Sequence, residues 1–293
     1  MQGLAPSRFI ATYAYLCSME SGKLDKDYIQ QSELWRLALQ TSDNRLDIAL
    51  YPPVESEKLI TRTIMLDPAN SDRLKALEEC VYANPLLLND FKRIDCVIDY
   101  DCFMAIPTAI ADADLRRKLF ETSYPAFDGE IMECPLGCPN ATLLLGVDPA
   151  LAGFIRRTFY GVRFTHVLSP LCRYFASVMT AQRLHRATFV SMRRDKTDVI
   201  IIDDGRLMLA NTFSFVQPAD AAYYILASRS QLECANTEPI LVYGSGAVTN
   251  EVTDILGRYA ADVTNVSQPA GPFRADQSTS EAPTNLIVMP LCE

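Results

Sequence analysis

Two short, largely apolar runs near the start of the chain, Leu34-Trp-Arg-Leu-Ala-Leu39 and Arg45-Leu-Asp-Ile-Ala-Leu-Tyr51, read as strands. Thr41-Ser-Asp-Asn44 separates them. Short polar side chains of this kind bond nearby backbone and favour turns, so the pattern predicts a β-hairpin. A third strand is predicted over 61–66. Leu74, Leu77 and Val81 then recur at helical spacing over 71–83, with Ser71 as the expected cap. Further strands are predicted over 94–98, 141–147 and 162–167, with the run Met104-Ala-Ile-Pro107 following the first of them. Helices are predicted over 112–120, from Pro149 behind a capping Asp148, and from Ser169-Pro170 to about His185.

The same order then restarts. Runs 187–192 and 197–202 read as a hairpin across Arg193-Arg-Asp-Lys196, and Asp203-Asp-Gly205 turns the chain into a third strand over 206–215. A helix from Pro218 to about Leu232, a strand over 240–243 and a helix over 248–259 follow. The stretch 267–284, rich in Pro, Gly, Ser and other polar residues, reads as a surface loop, and 286–289 as a last strand. Two successive blocks of hairpin, third strand and alternating helix and strand predict an α/β protein with two related lobes, 1–185 and 186–293.

Composition narrows the class. The chain has 293 residues, 49% of them hydrophobic, and 36 acidic against 27 basic side chains give a net charge of −9. The acidity runs through both halves, which argues against nucleic-acid binding, since phosphate backbones require a concentrated positive field. Nine cysteines at irregular spacing in a chain this long do not form a secreted disulfide framework and read as reduced, buried thiols. The run Phe9–Cys17 is interrupted by Thr12, Tyr13 and Tyr15, so it makes a poor signal peptide, and no long uncharged apolar run could span a membrane. A cytoplasmic protein is expected.

Few residues carry recognisable chemistry. Gly244-Ser-Gly246 sits between a strand and a helix. Glycines there either let a backbone approach a ligand at the helix N-terminus or make a tight turn. Cys134-Pro-Leu-Gly-Cys138 has neither the spacing nor the second pair of a zinc site and reads as a turn, and no metal site is expected. His166 and His185 lack the context of a nucleophilic triad. Asp203-Asp204 fits its turn, whereas Asp99 and Asp101 close a strand at what an α/β sheet makes a functional edge. There is no P-loop.

The runs Asp198-Val-Ile-Ile-Ile-Asp-Asp-Gly-Arg-Leu-Met-Leu-Ala-Asn-Thr-Phe213, Ala219-Asp-Ala-Ala-Tyr-Tyr-Ile-Leu226 and Leu241-Val-Tyr-Gly244, with Ala105-Ile-Pro107 and His166-Val-Leu-Ser169 before them, resemble a bacterial family of unknown function. The resemblance covers roughly residues 25 to 265. It implies the duplicated, ribonuclease H-like fold of actin-like ATPases, similar in outline to pilus and type II secretion assembly proteins. In that fold each lobe opens with a hairpin whose turn grips ATP phosphates, and a later glycine-rich turn holds the adenosine. By position these are Thr41–Asn44, Arg193–Lys196 and Gly244-Ser245-Gly246.

Active members carry Asp-x-Gly in both phosphate turns. Here neither turn has a glycine, and only Asp43 and Asp195 remain as candidate remnants of an ATP- and magnesium-binding pattern. The expectation is a non-catalytic scaffold that binds a protein partner or another copy of itself without cofactor. The alternative is an ATP-dependent kinase or ATPase with divergent loops. The cleft distinguishes them: side chains of Arg193, Arg194 or Lys196 in the phosphate position argue against nucleotide, and inward-pointing backbone amides argue for it.

Overall fold

The computed structural model describes residues 24–42, 44–54, 57–66, 72–266, 273 and 282–292. The first block folds into a five-stranded sheet built from β1 (Arg36–Thr41), β2 (Arg45–Tyr51), β3 (Ile60–Met65), β4 (Arg93–Ile98) and β8 (Arg163–His166), in the order β3-β2-β1-β4-β8. The second sheet contains β9 (Arg186–Met192), β10 (Lys196–Asp203), β11 (Arg206–Ser214), β12 (Ile240–Tyr243) and β13 (Val263–Val266), in the order β11-β10-β9-β12-β13. Each sheet pairs its first three strands antiparallel and its last two parallel to the first. The repeat expected from the hydrophobic pattern is therefore a repeat of topology.

Local signals explain most of the helices. Helix α1 (Arg73–Tyr82) is capped by Asp72, whose carboxylate accepts the Lys75 amide at 3.1 Å; the cap is thus one residue later than Ser71. Asp112 caps α2 (Ala113–Ser123), and Asp148, followed by Pro149, caps α3 (Pro149–Thr158). Helix α4 (Leu168–Gln182) begins without a side-chain cap, Ser169 and Pro170 lie inside its first turn, and Arg183 ends it in the left-handed conformation. His185 therefore follows the helix and pairs with Asp204 at 3.0 Å. Helices α5 (Pro218–Gln231) and α6 (Ala247–Leu256) cover one face of the second sheet.

Two features depart from the expected pattern. Strands β5 (Phe103–Pro107), β6 (Glu130–Pro135) and β7 (Ala141–Val147) form a separate antiparallel sheet, β5-β7-β6, inserted into the first block with α2 against it. The segment expected as a last strand is instead a short helix, α7 (Thr284–Val288). It returns to the first sheet: Tyr51 donates to the Leu286 carbonyl at 2.6 Å, and Asn285 donates to the Gln40 side chain at 2.7 Å. The expected loop at 267–284 lies almost entirely outside the described residues.

One continuous apolar core joins both blocks. Helix α4 runs between the two sheets and stacks Phe175 on Phe189 of β9, with ring centroids 4.6 Å apart and 8° between the planes. Asn140 ties the inserted sheet to the second lobe, donating to and accepting from the backbone of Leu207, both at 2.9 Å. Among the described residues no helix is long and apolar enough to cross a membrane.

Candidate functional site at the interlobe cleft

In each sheet the parallel strands end on the same side, as the register of β1 with β4 and of β9 with β12 requires. Ligands in open α/β folds bind at such carboxyl ends. Thr41 and Asp99 stand there in the first lobe, with the Asp99 amide donating to the Thr41 carbonyl at 3.0 Å. The second lobe contributes the turn from β9 to β10 and the turn after β12.

Arg193 fills the space between them. Its guanidinium donates to Asp99 at 2.5 Å across the lobes and to Asp198 of β10 at 2.7 Å. The three side chains are almost entirely sealed from water, at 2%, 4% and 0% exposure for Arg193, Asp99 and Asp198. Thr212 donates to the same Asp198 oxygen at 2.7 Å. Lys196, from the same turn, reaches Asp101 at 2.8 Å and Asp99 at 3.5 Å. Two cations of the second lobe thus hold two carboxylates of the segment that follows β4.

Burial and charge compete at each group. Burial opposes ionisation of Asp99, but the charge and hydrogen bond of Arg193, helped by Lys196 and His166, hold its carboxyl below the usual range. At Asp198 burial prevails over Arg193 and Thr212 and pushes the carboxyl up. Burial works against the charge on Arg193 and Lys196, yet the surrounding carboxylates keep both more firmly protonated than usual. His166, at the end of β8, accepts the Leu168 amide on Nδ1 at 3.3 Å, which leaves Nε2, 3.4 Å from the Tyr100 carbonyl, as its donor. It is a neutral packing residue against Phe103, with ring centroids 4.2 Å apart.

The residues singled out for nucleotide binding are distributed unevenly around this cluster. Asp195 is exposed in the β9–β10 turn, where its carbonyl accepts the Phe215 amide at 3.0 Å. Asp43 lies outside the described residues. Gly244 has φ +148°, and a Cβ there would stand 2.9 Å from Cβ of Met192, the neighbour of Arg193. Close packing of one turn on the other thus accounts for this glycine. Gly246, at φ +92° with open space around it, caps α6, and Ser245 between them is exposed. The second-lobe turns therefore lie side by side, with Arg193 beside them.

Asp198 belongs to no motif in the sequence. Its signal was a charged side chain two residues into an otherwise apolar buried strand. Cys134 and Cys138 are free thiols flanking a turn, and burial pushes Cys134 up to about 11. Beside the cleft a cavity of about 690 Å³ is lined by Ser42, Arg73, Tyr100, Asp148 and neighbouring residues, all from the first lobe. Arg73 lies 4.0 Å above the Tyr100 ring in its wall.

The sequence over residues 25–263 matches the family described as "Protein of unknown function (DUF3822)". Among curated proteins none matches this chain. Among solved structures, a Bacteroides thetaiotaomicron protein with an actin-like ATPase fold and unknown function is similar at 20% identity and a TM-score of 0.75, over 93% of this chain and 100% of that one. A chain of the PilM–PilN type IV pilus biogenesis complex is similar at 11% identity and a TM-score of 0.52, over 88% of this chain and 97% of that one. At these identities the likeness establishes the fold, which is the actin-like ATPase fold expected from the sequence.

Proposed function

The chain belongs to the DUF3822 family of proteins of unknown function, and from that premise we propose that it is a non-catalytic scaffold of actin-like fold that binds a protein partner or a second copy of itself. One observation carries the reading: Arg193, in the hairpin turn that the resemblance assigns to phosphate binding, is buried and paired to Asp99 and Asp198. Carboxylates at this position would be the natural partners of a nucleotide-bound magnesium ion. Here they are bound to fixed cations of the chain itself. The arrangement does not fit a magnesium polyphosphate, because entry of the phosphates would have to expel a guanidinium from two charge-assisted hydrogen bonds.

The absence of glycine from both hairpin turns points the same way. A clamp built from side chains also closes the two lobes without a ligand, which suits a protein that presents a fixed surface. The pilus neighbour is described as part of a PilM–PilN complex, so a chain of this fold does engage another protein.

Calorimetric titration of the full chain with ATP and magnesium tests the reading. No saturable heat is expected at micromolar nucleotide, and sedimentation velocity of the same sample then reports self-association. Saturable ATP binding together with phosphate release would establish the ATP-dependent enzyme instead. Gly244→Trp is unsuited as a control, since the added side chain would collide with Met192 whether or not nucleotide binds.

A further inference from the structure

Helix α5 lies on the outer face of the second sheet and buries Ala221, Ala222 and Ile225 in one core with Val199 and Ile201 of β10. Its opposite side exposes Ala219, Tyr223 and Ala227, one residue in every four, and the exposed Val216 stands just before it. Residues four apart form a single ridge on a helix surface. Tyr223 is 67% exposed and Val216 92%. A surface helix ordinarily turns charged and polar residues outward and keeps its apolar residues inward. Helix α5 is apolar on both sides.

The two charged residues of α5 are engaged elsewhere. Asp220 turns back to the start of the helix and accepts the Val216 amide at 3.2 Å and the Gln217 amide at 2.9 Å. Arg229 is buried and donates to the Thr188 hydroxyl and the Ala235 carbonyl, both at 2.7 Å. Other helices differ: α6 exposes Glu251 and Asp254, and α2 exposes Asp114, Arg117, Lys118 and Glu121. The exposed tyrosine is also held in place. Tyr223 meets Tyr224 edge-on, with ring centroids 5.6 Å apart and 66° between the planes, and Tyr224 stacks on Phe213 of β11 at 4.9 Å and 5°. A ring supported in this way has little rotamer entropy left to lose on contact, as suits an aromatic anchor at an interface.

We propose that the α5 ridge is a contact face for a second copy of this chain, paired antiparallel across a two-fold axis at Tyr223. Two features select that occupant. Two chains of net charge −9 repel each other, and they meet most readily through faces that carry no charge. A basic partner would instead be met by an acidic face, which this ridge does not offer. The ridge is also symmetric about its centre. Ala219, Tyr223 and Ala227 read small, large, small in both directions, as an isologous contact requires. About the axis Ala219 of one copy meets Ala227 of the other, and each Tyr223 ring covers the alanines opposite. With 14 residues α5 is about 21 Å long, so one helix pair makes a contact at the small end of specific interfaces and the dimer is weak and concentration-dependent. The inference rests on the scaffold reading above and names which of its two kinds of partner this face takes.

Sedimentation velocity of the full chain, from micromolar to near-millimolar concentration, tests the face. A reversible monomer–dimer equilibrium is expected. Tyr223→Glu should weaken it about thirtyfold, because it removes the aromatic anchor and sets two like charges at the axis. Tyr223→Lys should do the same, and mixing the two variants should restore dimers, which a merely structural defect would not. Tyr160→Ser, at a tyrosine of the first lobe that is 99% exposed, should leave the equilibrium unchanged. Circular dichroism verifies the fold of each variant; should either Tyr223 variant fail to fold, Ala227→Glu mixed with Ala219→Lys carries the same test. A chain that stays monomeric throughout, a dimer that Tyr223→Glu leaves intact, or variants that do not associate on mixing would each overturn the assignment. The failures are distinguishable. A monomer that gives no heat with ATP and magnesium loses this face alone and leaves a scaffold for a foreign protein, whereas ATP binding with phosphate release overturns the scaffold reading itself.

Discussion

Replacing Arg193 by methionine removes the charge while keeping most of the side chain's length. The variant leaves Asp99 and Asp198 facing each other in a space sealed from water, with side-chain exposures of 4% and 0%. Removing one member of a buried ion pair typically costs about 3–5 kcal/mol, because the remaining charge keeps its desolvation penalty without its partner. Lys196 reaches Asp99 and offsets part of this; at Asp198 only the Thr212 hydroxyl remains. For a chain of this size the loss corresponds to a fall in melting temperature on the order of 10 °C.

The assay is denaturant unfolding followed by circular dichroism, comparing midpoints at constant slope. The pH dependence identifies the cause. With the guanidinium gone, both carboxyls bind protons more readily folded than unfolded, so the deficit of Arg193→Met should be largest near neutrality and shrink on acidification. The triple variant Arg193→Met/Asp99→Asn/Asp198→Asn should recover most of the loss, since no buried charge of the trio is then left. A deficit below about 1 kcal/mol, or one that grows as the pH falls, would refute the reasoning.

Three further outcomes follow from the same structure. Burial first, with Arg193 and Lys196 behind it and Asp99 opposing, lowers His166 to about 3 from 6.5. The unfolded chain thus takes up this proton before the folded one, and the stability it confers is full above pH 6.5 and lost as the pH falls toward 3. The difference in unfolding free energy between wild type and His166→Gln should be flat above that window and decline through it. Tyr51→Phe leaves the buried Leu286 carbonyl without its donor, at a cost of about 1–3 kcal/mol; hydrogen exchange should show faster opening of 284–288 than of β1. Gly244→Ala forces a strained φ and a 2.9 Å contact onto Met192, and should destabilise by roughly 2–4 kcal/mol in chemical denaturation.

Much of this arrangement was legible in the order of residues. The hairpins at 36–51 and 186–203 are legible as apolar runs on either side of short polar turns, and their recurrence predicts two related lobes, each of which begins with such a hairpin in its sheet. Asp148-Pro149 marked the start of α3, because a cap and a first-turn proline act within one helical turn. Strand β6 has no clear sequence signal, because Glu130-Ile-Met-Glu-Cys-Pro135 alternates only weakly and its pairing with β7 comes from tertiary contact. The helix at 284–288, where the sequence predicts a strand over 286–289, differs for a related reason. An apolar run of a few residues suits a buried helix or a buried strand equally, and contact with Tyr51 and Gln40 selects the helix.

What the sequence determined by itself was therefore local: the apolar runs and polar turns that make each hairpin, the caps, the two-fold recurrence of the blocks, and the lack of glycine in both hairpin turns. What only the tertiary structure decided was partnership across the chain. Asp99 and Arg193 stand 94 positions apart, and nothing in either neighbourhood specifies the other. Their meeting depends on α4 seating both sheets on one core, which turns a polar hairpin and a strand-end carboxylate into a sealed ion pair. Turns and helices follow from interactions a few residues long, whereas the electrostatic character of a site is set by how the folded chain excludes water from charges that the sequence keeps far apart.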